Sequence, residues 1–442
     1  MSIASTLHRV AIAGAALLFC AASAAAETPA TKVVTLPPAE AAKLAISVGQ
    51  FAVAENILGE MLQQDPSSPD ALFLMGEAES RQKKFAAAIA YYRRILVDHP
   101  DLVRVRLDLA RALFETHDDD SAEYNFHLAL AQGDLPDTVI DNVERYLAVI
   151  RSRKHFVYDL HVGIAPDTNI NQAAATDHVT LFGLPFALSQ QARQQSGIGI
   201  DANIGGEYRW DLQPDLRLRS GANVYWLAYP SNRSFDDLQL RATVGPQWLF
   251  ARGDISVLGV VAKRWYGNDP YNVGAGGRIE GQYWLTKQFL WSSYVEGLSD
   301  TYHSQTFLNG FYIDQGNFLD YYVSPSSFVR GTVGVGYQKA ESDVFSNWYY
   351  RLGIAYQQEF AWGITANLAP EVRWWQYQAT DPLFLSRRSD RQYFVKLSLY
   401  KRNFTIFGFA PVVSYSYATN QSNQALFKYN RNQFELGFTR QF

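Results

Sequence analysis

The carboxy-terminal two-thirds of the sequence is divided into two-faced segments whose connections alternate in length. Six connections are short: Gln213-Pro214-Asp215, Arg252-Gly253-Asp254, Thr286-Lys287, Pro325-Ser326, Ala361-Trp362-Gly363 and Arg402-Asn403. Seven are longer and polar: 166–195, 230–237, 268–274, 303–310, 340–347, 381–390 and 420–429. Thirteen connections join fourteen strands, and bacterial outer-membrane barrels combine an even strand number with short turns on one side and long loops on the other. A soluble sandwich or propeller predicts no such alternation, so we expect an all-β antiparallel transmembrane barrel of fourteen strands over 155–442.

Individual segments support strands that are apolar on one face and polar on the other. In the segment 198–210, isoleucines and aromatic residues alternate with polar and charged ones. An Arg or Lys that faces lipid near the bilayer midplane costs about 2–4 kcal/mol. The charged faces should therefore line the lumen. This expectation covers the following residues: Asp201, Glu207, Arg209, Arg217, Arg219 and Lys396.

The last segment, 431–442, has an apolar row and ends on an aromatic residue. The row comprises Phe434, Leu436, Phe438 and Phe442. This arrangement resembles the closing strand of outer-membrane barrels, whose terminal Phe is read by the barrel assembly machinery. The resemblance implies that these residues form a barrel-assembly signal.

The amino-terminal residues have the charged, apolar and small-residue regions of a secretory signal peptide, predicted over 1–26. The only cysteine, Cys20, lies within it, so the exported chain is expected to form no disulfide. Residues 27–38 form a short linker. Charged residues make up 19% of the chain and the net charge is −4, which gives no indication of nucleic-acid binding.

A period of 34 residues follows the linker. Ala54, Ala88 and Ala122 recur at this interval, and Gly76 stands where the first helix of the second unit needs a small residue. Small packing positions at a 34-residue period are typical of tetratricopeptide repeats, in which they let paired helices approach. The region 39–154 is therefore predicted to be a helical solenoid of three repeats and a capping helix. An ordinary helical bundle with accidental spacing is the alternative.

The junction between the two regions carries the string Gly163 to Ala173, which includes Pro166, Asp167, Asn169 and Asn171. This Pro-Asp-x-Asn-x-Asn element, after tetratricopeptide repeats and before fourteen strands, resembles the surface lipoprotein assembly modifier family over essentially the whole exported chain. The resemblance implies an outer-membrane translocator for lipidated or soluble client proteins, whose repeat domain meets the client or its chaperones in the periplasm. Taken singly, the Asp and Asn residues suit a turn in which they satisfy nearby backbone groups.

Catalysis and cofactor binding find little support in the sequence. His303-Ser304 with Asn309 loosely resembles the residue set of an outer-membrane phospholipase, but adjacent residues at a strand end point to opposite faces. His117 with the three aspartates after it lacks the glycine and spacing of a calcium loop. We therefore expect no enzyme, metal or cofactor.

Two functions remain from the sequence: a protein translocator, and an export or diffusion porin, for example for polysaccharide. The expected partners are outer-membrane lipid, an exported client protein, the barrel assembly machinery and periplasmic chaperones.

Overall fold

The computed structural model describes residues 36–132, 135–402, 404 and 409–439. The signal peptide predicted over 1–26, most of the linker and Phe442 lie outside these residues. Within these residues, seven α-helices come first and β-strands follow from Phe156. Among the described helices, none is both long and apolar enough to cross a membrane.

The bounds of the helices are α1 Pro38–Ser47, α2 Phe51–Gln64, α3 Pro69–Arg81, α4 Phe85–Asp98, α5 Val103–Glu115, α6 Asp119–Leu130 and α7 Asp137–Arg153. The first six helices pack as three consecutive pairs, α1 with α2, α3 with α4 and α5 with α6, and α7 packs on α6. Ala54, Ala88 and Ala122 have no exposed surface and belong to the two hydrophobic clusters of the helical region. Gly76 of α3 is as tightly surrounded, because a Cβ atom there would lie 2.5 Å from Cε1 of the buried Tyr92.

The strands close into one antiparallel barrel of fourteen members, which confirms the predicted fold class. The sixteen described strands are β1 Phe156–Asp167, β2 His178–Leu181, β3 Leu184–Ala187, β4 Gly197–Gln213, β5 Leu216–Ala228, β6 Asp237–Phe250, β7 Gly253–Tyr266, β8 Asp269–Trp284, β9 Phe289–Tyr302, β10 Gly310–Ser324, β11 Ser327–Ala340, β12 Asn347–Phe360, β13 Ile364–Asp381, β14 Ser386–Lys401, β15 Ala410–Ser422 and β16 Tyr429–Thr439. β2 and β3 form a separate hairpin in the connection after β1. The barrel closes where β1 pairs with β16, for example at Ile164 and Leu436.

Where the described strands bound a connection, the lengths alternate with two exceptions, and Asn403 of the predicted short turn 402–403 lies outside the described residues. The prediction of a long loop over 268–274 is wrong: β7 and β8 are joined by Gly267 and Asn268 alone. Both residues have positive φ, 61° and 70°, as a tight two-residue hairpin turn requires. The predicted loop 381–390 is also shorter, because β13 and β14 leave only residues 382–385 between them. In both places polar residues continue the strands.

The two faces of the strands differ as a membrane barrel requires. Apolar side chains such as Ile204, Leu352 and Leu436 are 53%, 54% and 58% exposed and form the outer surface. The charged residues expected in the lumen lie on the opposite face and are ion-paired there. Glu207 contacts Arg209 and Arg219, Asp201 contacts His161, Arg217 contacts Asp211, and Lys396 contacts Glu435.

Candidate functional site

The helices sit on the end of the barrel that carries the short turns. The central contact is the side chain of Glu359, at the inner end of β12, which is 2% exposed. One carboxylate oxygen of Glu359 lies 2.7 Å from Nη2 of Arg106 in α5, and the other accepts a hydrogen bond of 3.0 Å from the hydroxyl of Tyr124 in α6. Arg402, in the next inner turn, also donates to Glu359. A single buried carboxylate therefore joins two helices to two turns of the barrel.

Further contacts extend around the same rim. Arg151 of α7 donates to the carbonyl oxygens of Phe250 and Ala251, at 3.0 and 2.9 Å. Arg217 donates to the carbonyl of Ser152, at 2.8 Å, and Gln288 to that of Ala131, at 2.7 Å. The hydroxyl of Ser326 donates to the carboxylate of Asp101. Because these contacts reach turns on all sides of the ring, the second half of the helical region lies across the inner mouth of the barrel.

His127 of α6 is the aromatic contact of this junction. Its ring stacks on Trp284 with the centroids 4.1 Å apart and the planes at 18°, and Tyr322 lies 6.1 Å away. The residue is 9% exposed. Burial lowers the pKa of His127 to about 4, with Glu123 opposing and Arg151 adding to the shift. The imidazole is consequently neutral at physiological pH, which suits its contact with two aromatic rings.

Above this junction, the lumen is lined by alternating charges. Arg209, Glu207, Arg219, Glu280, Arg278, Glu296 and Arg241 follow one another as ion pairs along the inner wall from β4 to β9. All of them except Glu296 border a cavity of about 420 Å³, together with Asp159, Asn223 and Thr243. A wall of paired charges is hydrated and offers no continuous apolar surface to which an unfolded chain would adhere.

A second cluster lies beside the β1–β16 closure. Nε2 of His161 is 3.0 Å from a carboxylate oxygen of Asp201 and 2.8 Å from one of Glu435. These three residues have ligand atoms close enough to hold a metal ion, but the ammonium group of Lys396 also lies 3.1 Å from Glu435. A cation already neutralises part of the cluster, whose ion pairs join four strands across the seam.

The junction string lies at the end of the barrel opposite the helices, where β1 enters its long loop. Asp167 is buried, accepts a hydrogen bond of 2.8 Å from Nε of Arg431 in β16, and also accepts the backbone N–H of Asn169, at 2.8 Å. Asn169 exchanges hydrogen bonds of 3.0 Å with the backbone of Ala173, and Asn171 does so with Arg193 and Gln195, at 2.7 and 3.1 Å. Pro166 lies within β1 itself. These side chains hold the first outer loop to the barrel wall.

The other residues singled out from the sequence lie apart from the inner mouth. Phe434, Leu436 and Phe438 are 55%, 58% and 43% exposed on the outer face of β16, whereas Phe442 is outside the described residues. His303 and Ser304 lie in the outer loop between β9 and β10. His117 lies in the turn between α5 and α6, where Asp119 and Asp120 pair with Arg153 and Lys154.

Sequence reasoning missed Arg106, Tyr124, His127 and Glu359. Arg106 and Glu359 are 253 residues apart, and no local pattern connects them. One signal was present in the sequence. Glu359 is an acidic residue close to an inner turn, and the residues beside it, Gln358 and Phe360, carry an amide and an aromatic side chain.

Comparison with known proteins gives a consistent result. The chain matches the profile of the surface lipoprotein assembly modifier family over residues 158–442 and the profile of that family's N-terminal TPR repeats over residues 43–126. It is 25% identical over 408 residues to surface lipoprotein assembly modifier 1 of Neisseria meningitidis, covering 88% of this chain and 81% of that one. It is 25% identical over 405 residues to the protein of the same name from Haemophilus influenzae, covering 88% and 81%. It is 20% identical over 390 residues to the hemophilin secretion modulator of Acinetobacter baumannii, covering 84% and 78%. One family profile matches more than half of the chain, and the chain forms the fourteen-stranded barrel that its sequence predicts. The chain therefore belongs to the surface lipoprotein assembly modifier family.

Proposed function

We propose that this chain delivers client proteins across the outer membrane, and that the helical region acts on the client from the periplasmic side. The barrel lies in the outer membrane and the tetratricopeptide helices lie in the periplasm. The observation that carries the proposal is the position of the helices across the inner mouth of a lumen lined by paired charges. A client that enters the barrel from the periplasm must meet the helices first.

The names of the relatives and the shape of the helical region support one kind of client. The relatives' names refer to surface lipoproteins and to the secretion of a hemophilin, which supports a client that is a protein, lipidated or soluble. A short solenoid of helix pairs offers a concave surface of the kind that holds an extended segment or a partner helix. We propose that periplasmic chaperones bring the client to this surface. We also propose that the barrel assembly machinery reads Phe442 at the end of the apolar row of β16.

The division of labour between the regions can be tested by deletion. We propose that Ala39 to Lys154 forms the client-binding region and 155–442 the translocating barrel. A variant that lacks 39–154 but keeps the predicted signal peptide should still give a folded, heat-modifiable barrel in outer-membrane fractions. Surface display or secretion of an exported protein encoded beside it should fall sharply, measured by protease accessibility on intact cells.

A porin makes the opposite prediction, because solutes need only the pore. If display of the client persists at normal levels in the deletion variant while polysaccharide export or small-solute uptake changes, the chain is a porin with an accessory helical region. Loss of the barrel itself from the outer membrane would show instead that the helices act in assembly.

A further inference from the structure

The outer surface of strands β13 to β16 changes character towards the end of the barrel away from the helices. Its lower part is apolar, with Leu368, Leu397 and Val413 each 38–46% exposed. Side chains on one face of a strand recur every second residue, so Arg391 shares the outward face of β14 with Leu397. The register places Arg391 between Trp374 of β13 and Gln421 of β15. Polar and aromatic groups thus replace aliphatic ones at this height.

Trp374, Arg391 and Gln421 border a cavity of about 620 Å³. Its lining includes one tryptophan ring, several amide and hydroxyl groups, one acidic residue, Asp390, and two cationic residues, Arg391 and Lys428. Lys428 belongs to the loop between β15 and β16, and its carbonyl oxygen accepts a hydrogen bond of 3.0 Å from the backbone of Ala175 in the first outer loop. The loop that carries the lysine is therefore tied to the rim of the barrel.

The two cations are not neutralised by the protein. In the part of the chain that the structure describes, neither Arg391 nor Lys428 has an ion-pair or hydrogen-bond partner for its side chain, and both residues are exposed. The acidic residue nearest in sequence, Asp390, is buried and already paired with Arg388. Most of the arginines that line the lumen have a carboxylate partner. The outward patch therefore presents net positive charge where the aliphatic surface ends.

We propose that this cavity binds the phosphorylated sugar head group of a glycolipid in the outer leaflet, with Arg391 and Lys428 on the phosphate. The planar guanidinium of an arginine matches two phosphate oxygens at once, and a lysine adds a point charge. The neighbouring amides donate and accept hydrogen bonds to sugar hydroxyls, and Trp374 offers a flat apolar surface to a sugar ring. The apolar row beneath the cavity is continuous with it and accommodates the acyl chains of the same molecule.

Binding of purified lipopolysaccharide to the full chain in detergent tests this inference. A charge-assisted hydrogen bond contributes about tenfold or more in affinity. We expect Arg391→Gln combined with Lys428→Gln to weaken binding at least about tenfold, and enzymatic removal of the phosphates from the glycolipid to weaken binding to the unaltered protein by a similar factor. Lys263→Gln is the matched control, because Lys263 is an exposed cation near the outer end of β7, beside Trp265, and does not line the cavity. It should change binding by less than about twofold.

The arms of the experiment separate the sources of phosphate. Binding is measured per heat-modifiable, folded barrel, so that a loss of folding is not counted as a loss of affinity. If inorganic phosphate binds the cavity equally well and displaces the glycolipid, the site takes free oxyanions and the lipid assignment is wrong. Equal binding by the double variant and the unaltered protein, or equal loss in Lys263→Gln, overturns the site altogether.

Discussion

Gly76 of α3 lies so close to the ring of Tyr92 of α4 that this position has no room for a side chain larger than a hydrogen atom. Tyr92 is 1% exposed and its ring packs against Phe73, with the centroids 5.9 Å apart. The ring is enclosed on other sides and has little freedom to turn away from Gly76. Gly59 of α2 is the opposite case, because a Cβ atom there would meet nothing within 4 Å.

These two glycines make a matched pair of substitutions. Gly76→Ala should destabilise the helical region by about 1–3 kcal/mol, the usual cost of overpacking a core. Gly59→Ala should instead stabilise it by about 0.5–1 kcal/mol, since alanine is the better helix former. The measurement is the helical circular-dichroism signal of the full chain in detergent during urea unfolding. Equal effects of the two substitutions would show that Tyr92 moves aside and that the close approach of Gly76 does not affect the free energy of unfolding.

At the level of the elements, the seating of α6 on the barrel depends on a neutral histidine. In the docked state the pKa of His127 is about 4, below the value of about 6.5 for a free imidazole. Between these two values the undocked state binds the proton more readily, so docking is at full strength above about pH 6.5 and weakens as pH falls towards 4. The slope is about 1.4 kcal/mol per pH unit, which gives about 3 kcal/mol over the whole window.

The expected outcome is an increase in the undocked fraction between pH 6.5 and 4.5, followed as the distance between a probe on α6 and one on an outer loop. His127→Phe keeps a ring against Trp284 but cannot take a proton, so it should remove most of the pH dependence in this window. Glu123 also faces His127, but although burial raises the pKa of this carboxyl, its pairing with Lys154 leaves the pKa below the usual value, so Glu123 titrates below this window. A pH response between 6.5 and 4.5 that survives His127→Phe unchanged would therefore exclude His127 as the titrating group.

The sequence predicted the number and type of elements better than their ends. Faces and strand number could be predicted because lipid forces a strict alternation on each strand. The β7–β8 connection was misjudged because polarity was taken as a sign of a loop, whereas polar residues such as Asn272 continue β8 and hydrogen-bond across to Asp300 at 3.0 Å. Gly267-Asn268 was a usable hairpin signal. The contact of Arg106 with Glu359 had no such signal, because it depends on how two independently patterned regions meet.

Over the whole molecule, the described strands form a closed ring, and the helices lie across its inner end. A chain that passes from the periplasm into the lumen needs the helices to move, or must pass between them and the turns. The contact of Ser326 with Asp101 lies on this path, between the inner turn of β10–β11 and the segment joining α4 to α5. Because Cys20, within the predicted signal peptide, is the only cysteine, introduced thiols would be alone in the exported chain.

A reversible crosslink between these two positions tests whether the helices must leave the mouth. The side-chain oxygens of Asp101 and Ser326 are in hydrogen-bond contact, so Asp101→Cys combined with Ser326→Cys should form a disulfide under oxidation. We expect client display on intact cells to fall severalfold when the pair is oxidised and to recover when a reductant is added. Each single cysteine variant, under the same oxidation, controls for the loss of the hydrogen bond and should display the client at the level of the unaltered protein. Undiminished display by the crosslinked protein would mean that the client enters beside seated helices, through a gap at the rim, and that undocking is not part of the transport cycle.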